Sequence, residues 1–295
     1  MSMLSRPEAV GAVAAAEGGA ARSRGRTRIG ALGLAGVCVI VAACLFCFVG
    51  PLVYHTDQVA SDLAAANLPP GGRHPLGTDA NGFDILGRLM AGGQSSLEIG
   101  AAVAVLATTV GAAWGAIAGF AGGVIDAVMM RIVDVILAVP ALFLLLILAT
   151  SVPPSTLELI VVLSFLAWQV PSRLVRGDSL TLRTREFVQA VQVMGGGSAR
   201  AVMRHIIPNT VSTIVVNATF QVADAILILA VLSYLGFGLP PPAATWGGML
   251  SDGSRYIFAG YWWQIYPVGV LIVVVVIAFN FLGDALRDLL DVRLR

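Results

Sequence analysis

Few side chains in this sequence stand at spacings that support chemistry. Cys44 and Cys47 form a C-x-x-C pair, which in redox proteins exchanges thiols with disulfides from an accessible, electropositive site. Here the pair lies inside an apolar run, so we interpret both cysteines as small apolar fillers. His74 and Asp79 have the side chains of metal ligands, but no second histidine stands near them at a ligand spacing. We interpret them as parts of a structural turn and predict no catalytic residue and no metal site.

The 18 basic residues are all arginine. A chain without lysine cannot form a P-loop, a Schiff base or a Ser/Lys dyad, and this one also lacks the H-E-x-x-H and G-x-S-x-G patterns of hydrolases. Its net charge of +1 supplies no basic face for nucleic acid. We therefore predict that the chain is not an enzyme and holds no cofactor, so any use of ATP must occur on a partner.

The composition is that of an integral membrane protein, with 57% hydrophobic residues, 12% charged residues and a mean hydropathy of +0.86. We predict an all-α fold whose spans are marked by uncharged runs of about 20 residues. The first run, residues 29–53, follows four arginines and also resembles a cleaved signal, but it continues apolar past the cleavage site, which favours an uncleaved helix. The other predicted spans are Ile99–Ile125, Ile132–Thr150 with a kink at Pro140, a run between Glu158 and Arg173, Ile206–Leu235 and Gln264–Leu286.

The arginines also predict the orientation. In this layout fifteen of them lie on the side of both termini, and only Arg73, Arg88 and Arg255 lie on the other, so both termini are predicted to be cytoplasmic. The predicted organisation is a disordered cytoplasmic tail (1–28), a first span (29–53), an extracytoplasmic segment (54–94), a core of five helices (95–290) with a cytoplasmic loop at 173–205, and a cytoplasmic end (291–295).

The cytoplasmic loop contains a short amphipathic pattern over residues 184–197. Thr184 is placed as an N-cap, Phe187, Val191 and Met194 recur at helical spacing, and the glycines from Gly195 end the helix. Gly195 is expected to have a positive φ. The pattern alone leaves two interpretations with equal weight: a surface helix held to anionic membrane lipid by arginines, or a docking element for a cytoplasmic partner.

Two further features lie within predicted spans. Gly111, Gly115 and Gly119 share one helix face, which allows close approach of another helix from this chain or from a partner. Asp224 is a carboxylate within a span and therefore a functional candidate, the alternative being a hydrogen bond to a Ser, Thr or Asn of a neighbouring helix. A self-sufficient ion-coupled transporter typically has several such groups and repeated broken helices; only Asp224 is central here, which disfavours that class.

The most specific sequence signal is a pair of motifs in the cytoplasmic loop, Glu186-Phe-Val-Gln-Ala-Val-Gln-Val-Met-Gly195 and His205-Ile-Ile-Pro208-Asn209. The pair resembles the signature loop of binding-protein-dependent ABC importer permeases. Five further motifs resemble the C-type subunit of the dipeptide/oligopeptide permeases, so that the resemblance covers residues 29–295. They are His74-Pro-Leu-Gly-Thr-Asp79, Asp84-Ile-Leu-Gly-Arg88, Asp126-Ala-Val-Met-Met-Arg131-Ile-Val-Asp134, Gly238-Leu-Pro-Pro-Pro242 with Trp246-Gly247, and Gly283-Asp-Ala-Leu-Arg-Asp288 ending in Asp291-Val-Arg-Leu-Arg295.

The resemblance implies a type I importer permease fold with six helices in the inner membrane of a bacterium. It implies uptake of di- or oligopeptides that an extracytoplasmic binding protein delivers, through a pathway formed as a heterodimer with a second, homologous permease. Two ATPase subunits would hold ATP and Mg and drive transport. The residues implied to couple to them are Arg185, Glu186, Phe187, Gln189, Ala190, Val191, Met194, Gly195 and Pro208. Three positions depart from the family pattern, since Gln189 replaces a glutamate, Val191 replaces an alanine, and Leu229 stands where an acidic residue is common.

Overall fold

The computed structural model describes residues 30–151, 154–195 and 197–291. These residues form helices joined by loops and no strand, apart from one isolated bridge between Thr78 and Asp84. The predicted all-α fold class is therefore confirmed. The predicted cytoplasmic tail, residues 1–28, and residues 292–295 of the predicted cytoplasmic end lie outside the described residues.

The helices are α1 (Ala31–Val53), α2 (Ile85–Ala121), α3 (Gly123–Leu137), α4 (Ala141–Ser151), α5 (Thr156–Ala167), α6 (Gln169–Leu182), α7 (Glu186–Val193), α8 (Ser198–Phe237), α9 (Trp246–Ser254) and α10 (Tyr266–Asp291). Within the described residues, four continuous helices and two bent pairs are long and apolar enough to cross a membrane. The continuous ones are α1, α2, α8 and the helix that contains α10, and the bent pairs are α3 with α4 (84°) and α5 with α6 (44°). Six spans result if each bent pair crosses once. α8 begins before the predicted Ile206 and α10 ends after the predicted Leu286.

α2 begins at Ile85, well before the uncharged run from Ile99 that predicted it. Asp84 caps this start through its side chain. Arg88, which was predicted to lie outside the span, is part of the helix and is only 7% exposed. Its guanidinium donates a hydrogen bond of 2.7 Å to the Pro242 carbonyl. The predicted start of the helix is wrong. A search for uncharged runs stops at every charged residue, whereas Arg88 lies inside the helix because its guanidinium has a hydrogen-bond acceptor in the fold.

The third predicted span also differs. α2 ends at Ala121 because Gly122 and Gly123 have positive φ, and α3 then starts at Gly123 instead of Ile132. The chain breaks again before Pro140, which lacks the N–H needed to continue the helix, and α4 leaves at 84° to α3. The kink at Pro140 is confirmed, but it divides the segment into two separate helices.

α5 and α6 meet at a milder bend of 44°. Pro171 in the first turn of α6 cannot donate to the carbonyl of Ala167, and the side-chain amide of Gln221 in α8 donates to that carbonyl instead, at 3.3 Å. α6 continues to Leu182, beyond the predicted end at Arg173. The fourth span is therefore prolonged by a polar helical extension that leads directly to α7.

The three glycines of α2 pack against α6 of the same chain. A Cβ at Gly115 would lie 2.2 Å from the Ser172 carbonyl oxygen, and one at Gly119 would lie 2.7 Å from the Arg176 carbonyl oxygen; Gly111 meets the start of α6 in the same way. Only glycine lets the two backbones approach this closely. Of the two predicted alternatives, packing within the chain is the one that the structure shows.

The segment before α2 is held by a hydrogen-bonded turn. The Asp84 carboxylate accepts a hydrogen bond of 2.9 Å from the Tyr54 hydroxyl and lies 2.8 Å from His74 Nδ1. The His74 carbonyl accepts a hydrogen bond from the N–H of Gly77, and Asp79 accepts hydrogen bonds from two backbone N–H groups that follow it. The interpretation of His74 and Asp79 as parts of a structural turn is confirmed.

Candidate functional site

α7 lies at the end of the bundle where α6 ends and α8 begins. Its Val188 is fully buried and packs in one cluster with Ala116 of α2, Val175 of α6 and Ile206 of α8. Full burial of a valine side chain is worth about 1.5–3 kcal/mol. Val188 therefore anchors α7 to three long helices at once.

The other side of α7 is exposed and partly apolar. Phe187 is 44% exposed, and Val193 and Met194 are 87% and 77% exposed. Phe187 and Met194 lie on this exposed side, seven positions apart. Val191 follows Val188 by three positions, lies on the same side of the helix as Val188 and is half-buried. The predicted stripe of Phe187, Val191 and Met194 is therefore wrong at Val191. The remaining coupling candidates on α7 and next to it are also exposed, namely Arg185, Glu186, Gln189 and Ala190.

The sequence prediction is wrong at the start of α7 and correct at its end. The Thr184 hydroxyl donates to the Thr181 carbonyl at 2.9 Å instead of accepting a bond from the first turn of α7, so the predicted N-cap is wrong. The Gln189 side-chain amide donates to the Thr184 carbonyl at 3.3 Å, a bond that a glutamate cannot donate. At the other end Gly195 has φ +79°, so the prediction of a positive φ is confirmed.

The second motif of the loop forms the start of α8. Pro208 directly follows the π-helical turn Val202–Ile206 and its neighbour Ile207, an irregular place where the missing N–H of proline is tolerated. The Asn209 side chain donates to the His205 carbonyl at 2.6 Å. The His205 ring lies 6.1 Å from that of Phe187, measured between centroids. The exposed surface of α7 is therefore continuous with the first turns of α8.

Two ion pairs join α6 to α3. Arg176 donates to both carboxylate oxygens of Asp126, at 2.5 Å and 2.7 Å, and Arg173 pairs with Asp134. The first pair is bidentate and mostly covered, whereas the side chains of the second are half-exposed, so the first contributes more to rigidity. The two aspartates are part of a motif noted in the sequence, but the ion pairs were not predicted. A signal was present, because the two arginines lie three positions apart and therefore on one face of α6.

Asp224 lies on α8 and points away from the core of the bundle. Its neighbours Ala223, Ala225 and Ile226 are buried, whereas Asp224 is exposed. Within the described residues its carboxylate has neither a hydrogen-bond partner nor an ion partner. The predicted alternative, a Ser, Thr or Asn that satisfies it from a neighbouring helix, is therefore not found in the described part of the chain.

These features define a helical, multi-pass membrane protein that carries an exposed surface helix anchored at one end of its spans. Residues 111–295 match the family described as binding-protein-dependent transport system inner membrane component. The chain belongs to this family. Its fold is accordingly the type I importer permease fold, as the sequence motifs predicted.

Relatives extend the match to most of the chain. It is 38% identical to the oligopeptide transport system permease protein OppC of Bacillus subtilis (strain 168) over 270 residues, which are 92% of this chain and 88% of that protein. It is 35% identical to the dipeptide transport system permease protein DppC of the same strain, over 90% of this chain and 82% of the relative. It is 39% identical to the OppC protein of Mycobacterium tuberculosis (strain CDC 1551 / Oshkosh), over 85% of this chain and 88% of the relative. The resemblance to dipeptide/oligopeptide permeases is confirmed.

Proposed function

We propose that this chain is one of two homologous permease subunits of an ATP-driven importer in a bacterial inner membrane, and that the importer takes up di- or oligopeptides delivered by an extracytoplasmic binding protein. That the chain is a permease component of a peptide ABC transporter follows from its family and from relatives that it matches over most of their length. The observation that supports the rest is the position of α7, an exposed apolar surface with a buried anchor among three long helices.

In this proposal α7 is the contact to the ATPase subunits. Phe187 and Met194 present apolar surface, and an aromatic ring that becomes buried at an interface typically dominates the binding energy there. Val188 then carries the motion inward, because any displacement of α7 acts on α2, α6 and α8 together. ATP and Mg would be held by two partner ATPases, since a chain without lysine cannot build a P-loop.

The same proposal determines the orientation. α7 and both termini face the cytoplasm, because the arginines concentrate on that side. The turn at His74 and the loop before α10 then face outward, where the binding protein delivers the substrate. A second permease completes the pathway beside the exposed face of α8, because a mid-span carboxylate such as Asp224 requires a neighbour that is not lipid.

The rival function is an ion-coupled secondary transporter. It is favoured by Asp224 and by Glu98, an exposed carboxylate of α2 that the predicted span excluded, since neither has a partner within the described residues. Reconstitution in liposomes separates the two functions. We expect uptake of a labelled tripeptide only when the second permease, the binding protein, the ATPases and hydrolysable ATP are all present, and the isolated chain should not hydrolyse ATP above background. Uptake by the isolated chain on a proton gradient would instead establish the secondary transporter.

A further inference from the structure

We propose that Asp224 is a cation-binding site in the translocation pathway and that it receives the N-terminal ammonium group of the peptide. This inference rests on the proposed function and adds a residue that recognises one group of the substrate. It is carried by the position of the Asp224 carboxylate, which lies within a span, is exposed and has no partner in the described part of the chain. What distinguishes Asp224 from the other exposed carboxylate at this level, Glu98, is a face of α8 that leads to a cavity.

Asp224 lies far from both ends of the apolar part of α8. Arg204 is the nearest charged group toward the start of the helix apart from the adjacent His205, and no charged residue follows Asp224 before the helix ends at Phe237. At a rise of about 1.5 Å per residue, Arg204 lies about 30 Å away and Phe237 about 20 Å away along the helix. A hydrocarbon core about 30 Å thick that is centred on this stretch places Asp224 about 5 Å from its middle, and the short side chain of aspartate cannot reach the interface from there.

The face that carries Asp224 is therefore not a lipid-facing surface. A charged side chain toward lipid at this depth costs about 2.5–3.5 kcal/mol or more, and no partner in the described residues offsets this cost. The carboxylate cannot turn inward either, because Ala223, Ala225 and Ile226 on the core side are packed with 1–2% exposure. Water or a second protein must cover this face.

Asp224 belongs to a continuous stripe along one face of α8. Its members follow one another at alternating spacings of four and three residues, which is the pattern of a single helix face; they are Thr213, Asn217, Phe220, Asp224, Leu227, Val231 and Tyr234. From Leu227 outward the stripe is exposed. At its inner end Thr213, Asn217 and Phe220 line a cavity of about 270 Å³ that Ser212 and Arg287 also border, together with apolar side chains of α6, α8 and α10. The stripe thus joins an exposed outer face, through one carboxylate, to a cavity that offers hydroxyl, amide and guanidinium groups to a polar substrate.

The chemistry of the stripe selects the ligand. Asp224 is its single charged member, and an unpaired carboxylate with apolar neighbours binds a cation by charge-assisted hydrogen bonds. Every unmodified peptide carries an α-ammonium group, whose pKa is about 7.7–8.0. Peptides with different side chains share this group, so recognition of the N-terminus suits a pathway that must accept many sequences. The other source of a cation is a basic side chain of the second permease, and the experiment distinguishes the two.

Glu98 in α2 provides a matched control. It is also exposed, but polar residues accompany it, since it follows Gln94, Ser95 and Ser96. A Cβ at Gly100 would meet Ile226, so Glu98 is close to the level of Asp224 in the bundle. Two positions turn a helix by about 200°, which directs Glu98 away from α8. Glu98→Gln therefore removes a carboxylate at a similar level without changing the stripe.

The experiment measures ATP-driven uptake of trialanine and of N-acetyltrialanine by the complete importer in proteoliposomes, below half-saturation. The variants are Asp224→Asn, Asp224→Glu and Glu98→Gln. Each rate is divided by the wild-type rate for the same peptide, so the preference of the unchanged binding protein cancels. Co-purification of the second permease is measured in parallel to report assembly.

We expect Asp224→Asn to lose about tenfold or more of the trialanine uptake, since a charge-assisted bond becomes a neutral one, and to keep the uptake of N-acetyltrialanine. Asp224→Glu should keep most of both, and Glu98→Gln should change neither. Full trialanine uptake by Asp224→Asn would overturn the proposal. Equal loss of both peptides, or failure of the Asp224 variants to assemble with the second permease, would assign Asp224 to subunit pairing and overturn it as well. If the wild-type importer takes up neither peptide, the proposed function itself is contradicted.

Discussion

Replacing Gly115 by alanine tests the close packing of α2 on α6, which holds the coupling helix α7 in place. The added Cβ would lie 2.2 Å from the Ser172 carbonyl oxygen and 2.9 Å from the Arg176 amide nitrogen. Ordinary contacts begin at 3.4 Å, so the two helices must separate locally by about 1 Å. A gap of this size removes roughly a quarter to a half of the dispersion attraction along the contact.

The expected cost follows from the atoms that obstruct the new methyl group. Overpacking typically costs about 1–3 kcal/mol. Both obstructing atoms near Gly115 belong to the backbone of α6 and cannot rotate away as a side chain does. We therefore expect the upper end of this range, about 3 kcal/mol, which lowers the ratio of folded to unfolded protein by roughly a hundredfold.

The assay is an SDS titration of the purified protein in mixed micelles. Tryptophan fluorescence reports the contact, because the rings of Trp114 and Trp168 lie 5.1 Å apart beside it. Gly177→Ala is the matched control: Gly177 lies in α6 where no atom of a neighbouring helix or loop is within 4 Å of the added Cβ, so this variant should be unchanged or stabilised by up to about 1 kcal/mol. Equal unfolding midpoints for Gly115→Ala and Gly177→Ala would refute the reasoning.

Other changes test the neighbouring contacts and the orientation. Arg176→Ala removes the bidentate ion pair and is expected to lower the free energy of unfolding by about 2 kcal/mol in the same titration. Arg173→Ala removes a half-exposed pair and should cost less than about 1 kcal/mol. A larger loss for Arg173→Ala than for Arg176→Ala would contradict the roles assigned to the two pairs. Val188→Ala removes part of the buried anchor and should cost about 2 kcal/mol and speed trypsin cleavage in the α7 region, whereas the exposed control Val193→Ala should do neither. Reporter fusions should be cytoplasmic at Gly195 and the C-terminus and external at Gly72 and Ser254, and an external signal at Gly195 would remove the docking role of α7.

The sequence predicts the spans better than their boundaries. Hydrophobic runs are a property of the local chain, and each continuous candidate span of the structure coincides with a predicted one. The start of α2 was not predictable in this way, because Arg88 is accommodated by the Pro242 carbonyl, which lies 154 positions later in the chain. The break between α5 and α6 was not predictable for the same reason. The Ala167 carbonyl accepts its hydrogen bond from the side chain of Gln221, which belongs to another helix.

In the candidate site, too, features set by the local chain were predictable from the sequence, and features set by contacts with other helices were not. The backbone requirement at Gly195 follows from local chemistry and was predicted correctly. The inward side of α7 was not, because a helix of eight residues with apolar side chains on two faces has no periodicity that distinguishes them. Val188 and not Phe187 faces the bundle because α2, α6 and α8 meet beneath it. Periodicity likewise revealed that Gly111, Gly115 and Gly119 form a packing face, but only the fold identifies α6 as their partner.

The central claim, that α7 docks an ATPase subunit, is tested most directly by Phe187→Asp. Phe187 is exposed and lies outside the spans, so the substitution leaves membrane insertion and the Val188 anchor intact while it places a charge where an apolar contact is proposed. The measurement is co-purification of the ATPases together with ATP-driven uptake, with Arg185→Ala as the matched control.

We predict that Phe187→Asp abolishes both ATPase co-purification and uptake, and that Arg185→Ala has a smaller effect because an exposed charge is screened. A Phe187→Asp protein that co-purifies with its ATPases and transports normally, while Arg185→Ala weakens membrane association of the loop, would contradict the claim and assign α7 to the lipid surface.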